Sequence, residues 1–395
     1  MKNPLSNRVQ AVKPSPTLAI SARAGQLRSE GKDILGLGVG EPDFHTPRHI
    51  KDAGIAAINN NQTGYTAVDG TVALKQAVID KFKRDNQFDY QLNEILVSSG
   101  GKQSFYNLAQ AILNPQDEVI IPAPYWVSYP DMVLLADAVP VLIHADAAQS
   151  FKITPEQLSQ AITPKTKLFV INSPSNPTGM SYTLDELKGL AAVLMQHPDI
   201  YIATDDMYEH IRWNKKTPFV NILNAEPDLK ARTLVLNGVS KAYCMTGWRI
   251  GYAGGPSQII KAMKKIQSQS TSNPAAPSQA AAVAALNGDQ TFIDDMNQAF
   301  KARHDDAVKR LNQIDGFHCL PTDGTFYLFP SIKGAIDKLE HINNDLDFAE
   351  YLINEAGVAA VPGSAFGLED HLRLSIAVSM ETLQDAVNRI AKAVG

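Results

Sequence analysis

Six short apolar runs recur through the first two thirds of the chain, each followed by a stretch long enough to form a helix, and this alternation most narrows the fold. The runs are "EILVSSG" near 94, "DEVIIPAP" near 117, "AVPVLIHA" near 138, "TKLFVINSP" near 166, "IYIATDD" near 200 and "TLVLNG" near 233. Short apolar runs bounded by turn residues read as buried strands, and strands alternating with helices read as βα units around a mostly parallel sheet. Helices are expected over 102–113, 126–136, 183–196 and 257–270, the third opened by the capping-box pattern "TLDE" at 183–186.

After "TSNPAAPSQ" the pattern changes to a long helical stretch from about 290 to 312, then to short strands near 325 and 372. That is the pattern of a second, smaller α+β lobe. No repeat, low-complexity tract or flexible linker separates the lobes, so they are expected to pack into one body. The 395 residues, 44% hydrophobic and 19% charged, suffice for a large core. A net charge of -5, with no block of like charges, argues against a nucleic-acid tail or a lipid-binding stripe and favours small-molecule partners. Cys244 and Cys319 are too few for a disulfide framework and match no zinc spacing, so no metal is expected. The N-terminal "MKNPLSNRVQAVKPSP" lacks the apolar core of a signal peptide, and the run "AAAVAAL" falls far short of the ~20 residues of a membrane span. A cytoplasmic protein is the expectation.

The strand ends are chemically distinctive. "SSGGKQS", "PAPYW", "NSPSNPTG", "TDDMYEH" and "NGVSK" follow the first, second, fourth, fifth and sixth runs, and in a doubly wound sheet the carboxyl ends converge on one rim, where ligands bind. Any one of these tails alone reads as an ordinary turn. Together they supply a lysine, Lys241; N–H groups at Gly100, Gly101 and Lys102 able to hold an anion at a helix start; and Arg249 for a bidentate contact to the same anion. They add a carboxylate at Asp205, a phenol at Tyr208, an amide at Asn176 and a flat aromatic at Trp126. Most lysines keep their ammonium in water. A lysine at a strand end, surrounded by this inventory, matches what pyridoxal phosphate needs: an amine for a Schiff base, an acid for the pyridinium nitrogen and donors for the phosphate.

With the motifs "GEPDF", "GYTAVDG", "SGGKQ", "PYWVSYP", "NSPSNPTG", "DDMYEH", "SKAYCMTGWRIGY", "PGSAFG" and "LRLS", the chain resembles, nearly end to end, the class I aminotransferases of the fold-type I pyridoxal-phosphate enzymes. Within them it is most similar to the bacterial aspartate aminotransferases. The resemblance implies a large cofactor-binding domain over 48–289 and a small domain built from 1–47 and 290–395. It implies that Lys241 carries the cofactor as a Schiff base, that Asp205 keeps the ring nitrogen protonated, and that Tyr208 and Asn176 bond the ring oxygen. Trp126 would stack on the ring, with Gly101, Lys102 and Arg249 on the phosphate side. The family usually has D-E-x-Y where this chain has "DDMY"; the first aspartate, Asp205, is taken as the ring partner.

Arg373 of "LRLS" matches the arginine that grips the substrate α-carboxylate, and Gly40 of "GEPDF" would approach the same group. Tyr65 would reach the phosphate of a neighbouring subunit, which implies a homodimer with shared active sites. For a second substrate carboxylate, the resemblance points to Lys102, assisted by Ser15, Thr17 and Ser268 of the partner chain. The implied reaction is ping-pong transfer of the amino group from L-aspartate to 2-oxoglutarate, with prephenate or a broader range of amino acids as the alternative.

Overall fold

The computed structural model describes residues 4–214 and 216–395. After the helix Pro16–Ser29 the chain forms a two-residue strand, β1 (Leu35–Gly36), and then builds the main sheet. Its strands are β2 (Ile95–Ser98), β3 (Glu118–Ala123), β4 (Val139–His144), β5 (Thr166–Asn172), β6 (Tyr201–Asp205), β7 (Thr233–Gly238) and β8 (Gly251–Gly254). Their spatial order is β2-β8-β7-β6-β5-β3-β4, and only β8 runs antiparallel to its neighbours. Every residue of β2 and β7 is buried, as expected where helices cover both faces of a parallel sheet. The expected α/β sheet is therefore present.

Register places the reactive tails. Asn172 pairs with Asp205 across β5 and β6, and Asp205 pairs with Leu236 across β6 and β7. The residues that follow these strands consequently emerge side by side at one rim. Between "NGVSK" and the strand β8 the sequence gives no apolar run, so β8 is absent from the sequence expectation. The reason is close packing: a Cβ on Gly251 would stand 2.3 Å from the Gly101 nitrogen, so glycine there lets β8 lie against the turn that opens the helix after β2.

The expected helices form as Gly101–Ile112, Leu184–Met195, Ser257–Ser268 and Thr291–Leu311. Thr183 and Glu186 make both bonds of the capping box. The helix expected over 126–136 is shorter, Ser128–Leu134, because the chain turns into β4 through Asp137 in the left-handed region. Helices Arg48–Asn59 and Ala276–Asn287 were not anticipated. They approach closely through small residues, with a Cβ at Gly54 lying 3.6 Å from that of Ala281.

Further along lie β9 (Tyr327–Leu328), β10 (Val358–Ala359), β11 (Val361–Pro362) and β12 (Leu372–Ser375). β9, β12 and β11 form a small antiparallel sheet, and β10 pairs parallel with β1. The Ser375 N–H donates to the Leu37 carbonyl at 2.7 Å, which brings β12 alongside the segment leading to Gly40. Among the described residues no helix is long and apolar enough to cross a membrane, and both cysteines are free.

Candidate active site

The tails of β2, β3, β5, β6 and β7 meet Gly40 and Arg373 around a cavity of about 440 Å³, within the ~300–1,000 Å³ range of small-molecule sites. Lys241 stands in its wall, three residues past the end of β7, and its Nζ donates to the Gly40 carbonyl at 2.5 Å. Removal from water pulls this ammonium down to about 8, aided by the nearby guanidinium groups of Arg373 and Arg249 and opposed by Glu41 and Asp205. It is not a solvated surface cation.

Asp205 closes β6 and lines the same cavity. Its Oδ2 accepts from the Tyr129 hydroxyl at 2.6 Å and its Oδ1 from the Met207 N–H at 3.2 Å. Asp206 turns away: its carboxylate accepts from Thr204 Oγ1 at 2.6 Å and Asn221 Nδ2 at 2.8 Å. Burial, reinforced by Glu209, pushes that second acid up to about 7. Of the two neighbouring aspartates, only Asp205 faces the cavity. Tyr208, buried, stands with its hydroxyl 3.1 Å from that of Tyr327.

At the end of β2, Gly100 takes a φ of 96° and the helix Gly101–Ile112 begins. A Cβ at Gly100 would lie 2.2 Å from Nη2 of Arg249, so the glycine makes room for that guanidinium over the helix start. Arg249 Nη1 donates to the Thr246 carbonyl at 2.9 Å while the side chain stays exposed. A helix N-terminus beneath a cation is suited to a phosphate.

Arg373 is 3% exposed. Its Nη1 donates to Asn176 Oδ1 at 3.1 Å and its Nη2 to the Gly38 carbonyl at 2.7 Å, while Nε has no partner among the described residues. The guanidinium lies over the Tyr327 ring, 4.4 Å from its centroid. A buried, charged fork with a free N–H can receive a carboxylate. At the mouth, the Lys102 ammonium sits 5.2 Å from the Trp126 ring centroid; partial loss of water around it and then Arg249 pull its pKa down, though the side chain as a whole is exposed. Ser15 caps the helix Pro16–Ser29, and Thr17, whose Oγ1 is buried without a partner, also lines the cavity.

Tyr65 and Ser268 do not join this cavity. Tyr65 is 95% exposed, on a loop held by Gln279 Nε2 bonded to Thr66 Oγ1 at 3.0 Å and by Gln267 Nε2 bonded to the Val68 carbonyl at 2.6 Å. Ser268 is exposed at the end of its helix and donates to the Lys265 carbonyl. Three residues near the site went unremarked in the sequence: Glu41, which accepts from Thr246; Tyr327; and Tyr129 behind Asp205. Glu41 lay in plain view within "GEPDF", whereas the two tyrosines gave no local signal. Behind the rim, Asp85, Glu209 and His210 lie close enough to share a cation, but the Lys81 ammonium already sits against Glu209 and bonds Asn86 Oδ1 at 2.7 Å.

The chain matches the family Aminotransferase class I and II over residues 32–390. It is 60% identical over 392 residues to an aspartate/prephenate aminotransferase of Nitrosomonas europaea, covering 98% of each chain. Its structure is similar to that of the aspartate aminotransferase of Rhizobium meliloti, with a TM-score of 0.96, 48% identity and 99% of each chain covered. It is also similar to the aspartate aminotransferase of Thermus thermophilus solved with maleate, with a TM-score of 0.93, 40% identity and 100% of each covered. An amine held below its usual pKa, a buried carboxylate and a glycine-lined anion cradle around one cavity fit pyridoxal phosphate. The chain belongs to the class I and II aminotransferases, enzymes that depend on this cofactor.

Proposed function

We propose that this enzyme exchanges amino groups among dicarboxylic substrates, converting L-aspartate and 2-oxoglutarate to oxaloacetate and L-glutamate, with prephenate as a further acceptor. The observation that carries the reading is a cavity holding Lys241 together with two separate cationic groups suited to carboxylates, buried Arg373 and exposed Lys102. The relatives named for aspartate or prephenate, and the similar structure solved with the dicarboxylate maleate, support it.

Pyridoxal phosphate, when bound, supplies a carbonyl carbon that takes up the amino group and a ring that draws electrons from the substrate Cα. Lys241 would hold the carbonyl end, Asp205 the ring nitrogen, and Gly101, Lys102 and Arg249 the phosphate side, with Trp126 against the ring face. Asn176 Oδ1 already accepts from Arg373, so its amide nitrogen is the group left to donate, beside Tyr208, to the ring oxygen. Arg373 would clamp the substrate α-carboxylate near Gly40, which orients the Cα–H bond. Lys241 Nζ then takes the Cα proton, for which the amine must be neutral. Its depressed pKa favours that state. Ser15, Thr17 and Lys102 would receive the distal carboxylate.

In this reading residues 48–289 form the large domain and 1–47 with 290–395 the small one. Two copies share their sites, Tyr65 reaching the partner's phosphate and Ser268 the partner's substrate, in the cytoplasm. The 95% exposure of Tyr65, on a loop tied down by Gln267 and Gln279, supports the pairing. A panel of aspartate, glutamate, alanine and phenylalanine as donors, with 2-oxoglutarate and prephenate as acceptors, tests the assignment. Acidic donors should dominate; equal turnover of all four would reject the dicarboxylate reading.

A further inference from the structure

Asp205 is a carboxylate at the inner end of the cavity, and what lies behind it matters as much as what lies before it. Tyr129 is 1% exposed and sits in the helix Ser128–Leu134, which follows β3, while Asp205 ends β6. In the sheet β5 lies between those strands, so the tyrosine crosses the end of β5 to reach its partner. Its hydroxyl donates to Asp205 Oδ2 at 2.6 Å, and its ring packs against Phe105 and Trp126, with centroids 5.0 and 5.2 Å away. It is not among the residues that line the cavity.

We propose that Tyr129 is a positioning residue whose hydroxyl holds the Asp205 carboxylate ionised and aimed into the cavity. The proposal rests on Asp205 being the partner of the ring nitrogen. Burial drives the Asp205 carboxyl upward, and the Tyr129 hydrogen bond leads the influences that oppose it, ahead of the Met207 N–H and Lys241. The phenol is pushed well above its ordinary value by burial and then by Asp205, so its proton stays on oxygen and the bond has one direction. Without that donor, Asp205 keeps one side-chain bond from the backbone, at 3.2 Å. A buried anion so poorly solvated takes up a proton or rotates. The short segment that runs from Trp126 into this helix thus serves the site twice, with Trp126 at the cavity and Tyr129 behind the acid.

The test uses Tyr129→Phe, Asp205→Asn and the double variant, since phenylalanine keeps the packed ring. First, infrared difference spectra of the apo-protein across pH, with D205N as the blank, report protonation of Asp205. Its midpoint should lie about one unit higher in Y129F. Second, titrating each apo-protein with pyridoxal phosphate and following tryptophan fluorescence gives cofactor affinity. Y129F should weaken binding on the order of tenfold, and the double variant should match D205N within about twofold. An unmoved carboxyl midpoint in Y129F overturns the proposal. So does a double variant weakened beyond D205N by the full Y129F factor, which would mark Tyr129 as packing alone. If D205N itself binds cofactor as well as the natural chain, the role given to Asp205 falls first.

Discussion

The inner wall of the cavity and its mouth are built differently. On the inner wall Arg373, Asn176 and Tyr208 are 3 to 6% exposed and already engaged within the chain: Arg373 with Asn176 and Gly38, Asp205 with Tyr129, Lys241 with Gly40. At the mouth Lys102 is exposed, and the Thr17 hydroxyl has no partner among the described residues. Groups fixed by the protein are preorganised for one kind of chemistry. Groups left with unused donors await whatever the substrate brings. The contrast assigns reaction type to the inner wall and substrate choice to the mouth, and mutations can break it.

The largest effect should come from Lys241→Ala, which removes the amine bonded to the Gly40 carbonyl at the cavity wall. Transamination should fall by at least about 10⁴-fold for every donor; a variant with near-normal turnover would end the assignment. A pH test sharpens it. Because neutral amine is the reactive form, acylation of Lys241 in the apo-protein should rise through pH about 8 and then level off. Ordinary surface lysines should still be climbing there, toward 10.5.

Next in size is Arg373→Ala. Every substrate presents an α-carboxylate, so kcat/KM should drop by about 30- to 5,000-fold, roughly 2 to 5 kcal/mol, for acidic and neutral donors alike. Loss confined to acidic donors would place this arginine at the distal end of the substrate and blur the division between wall and mouth.

Lys102→Ala should instead be selective. The preference for aspartate over alanine should shrink about tenfold, roughly 1.4 kcal/mol, with cofactor saturating. A uniform loss with weaker cofactor retention would confine Lys102 to the phosphate side, where its neighbour Arg249 stands. The comparison would then need another distal cation.

How far each region could be read in advance follows the same physics. Lys241, Asp205, Asn176 and Gly101 were legible because strand ends in a parallel sheet must converge, and their polar tails stood out against apolar runs. Tyr129 was not, because a tyrosine in "WVSYP" has the local signature of any core aromatic; only the approach of β3 and β6 across β5 gives it a partner 76 residues away. Strand β8 escaped for a related reason: its glycines carry no apolar period, Gly251 being required by the nearness of the Gly100–Gly101 turn and Gly254 by the Phe82 and Tyr90 rings. The capping box at Thr183 and Glu186 was readable because both partners lie within one helical turn. Asp206 shows the limit most plainly: adjacent to Asp205 in sequence, it faces Thr204 and Asn221 instead of the cavity.

The smallest effect, and the one that tests the mouth most finely, belongs to Thr17→Val. Valine keeps the shape and removes a hydroxyl whose oxygen is buried without a partner. In the free protein no hydrogen bond to a described residue is lost by this change, so the melting temperature should hold or rise slightly. In the substrate complex the same hydroxyl can donate to a distal carboxylate, and losing that bond should lower kcat/KM for aspartate by about 2- to 12-fold, roughly 0.5 to 1.5 kcal/mol, while leaving alanine within twofold. Thermal melting of the apo-protein and kcat/KM for the two donors separate the outcomes. A drop in stability with no change in selectivity would make Thr17 a structural residue of its helix. A loss shared equally by both donors would place it on the α-carboxylate instead. Only the combination of undiminished stability and selective loss is what a mouth residue held in reserve for the substrate predicts.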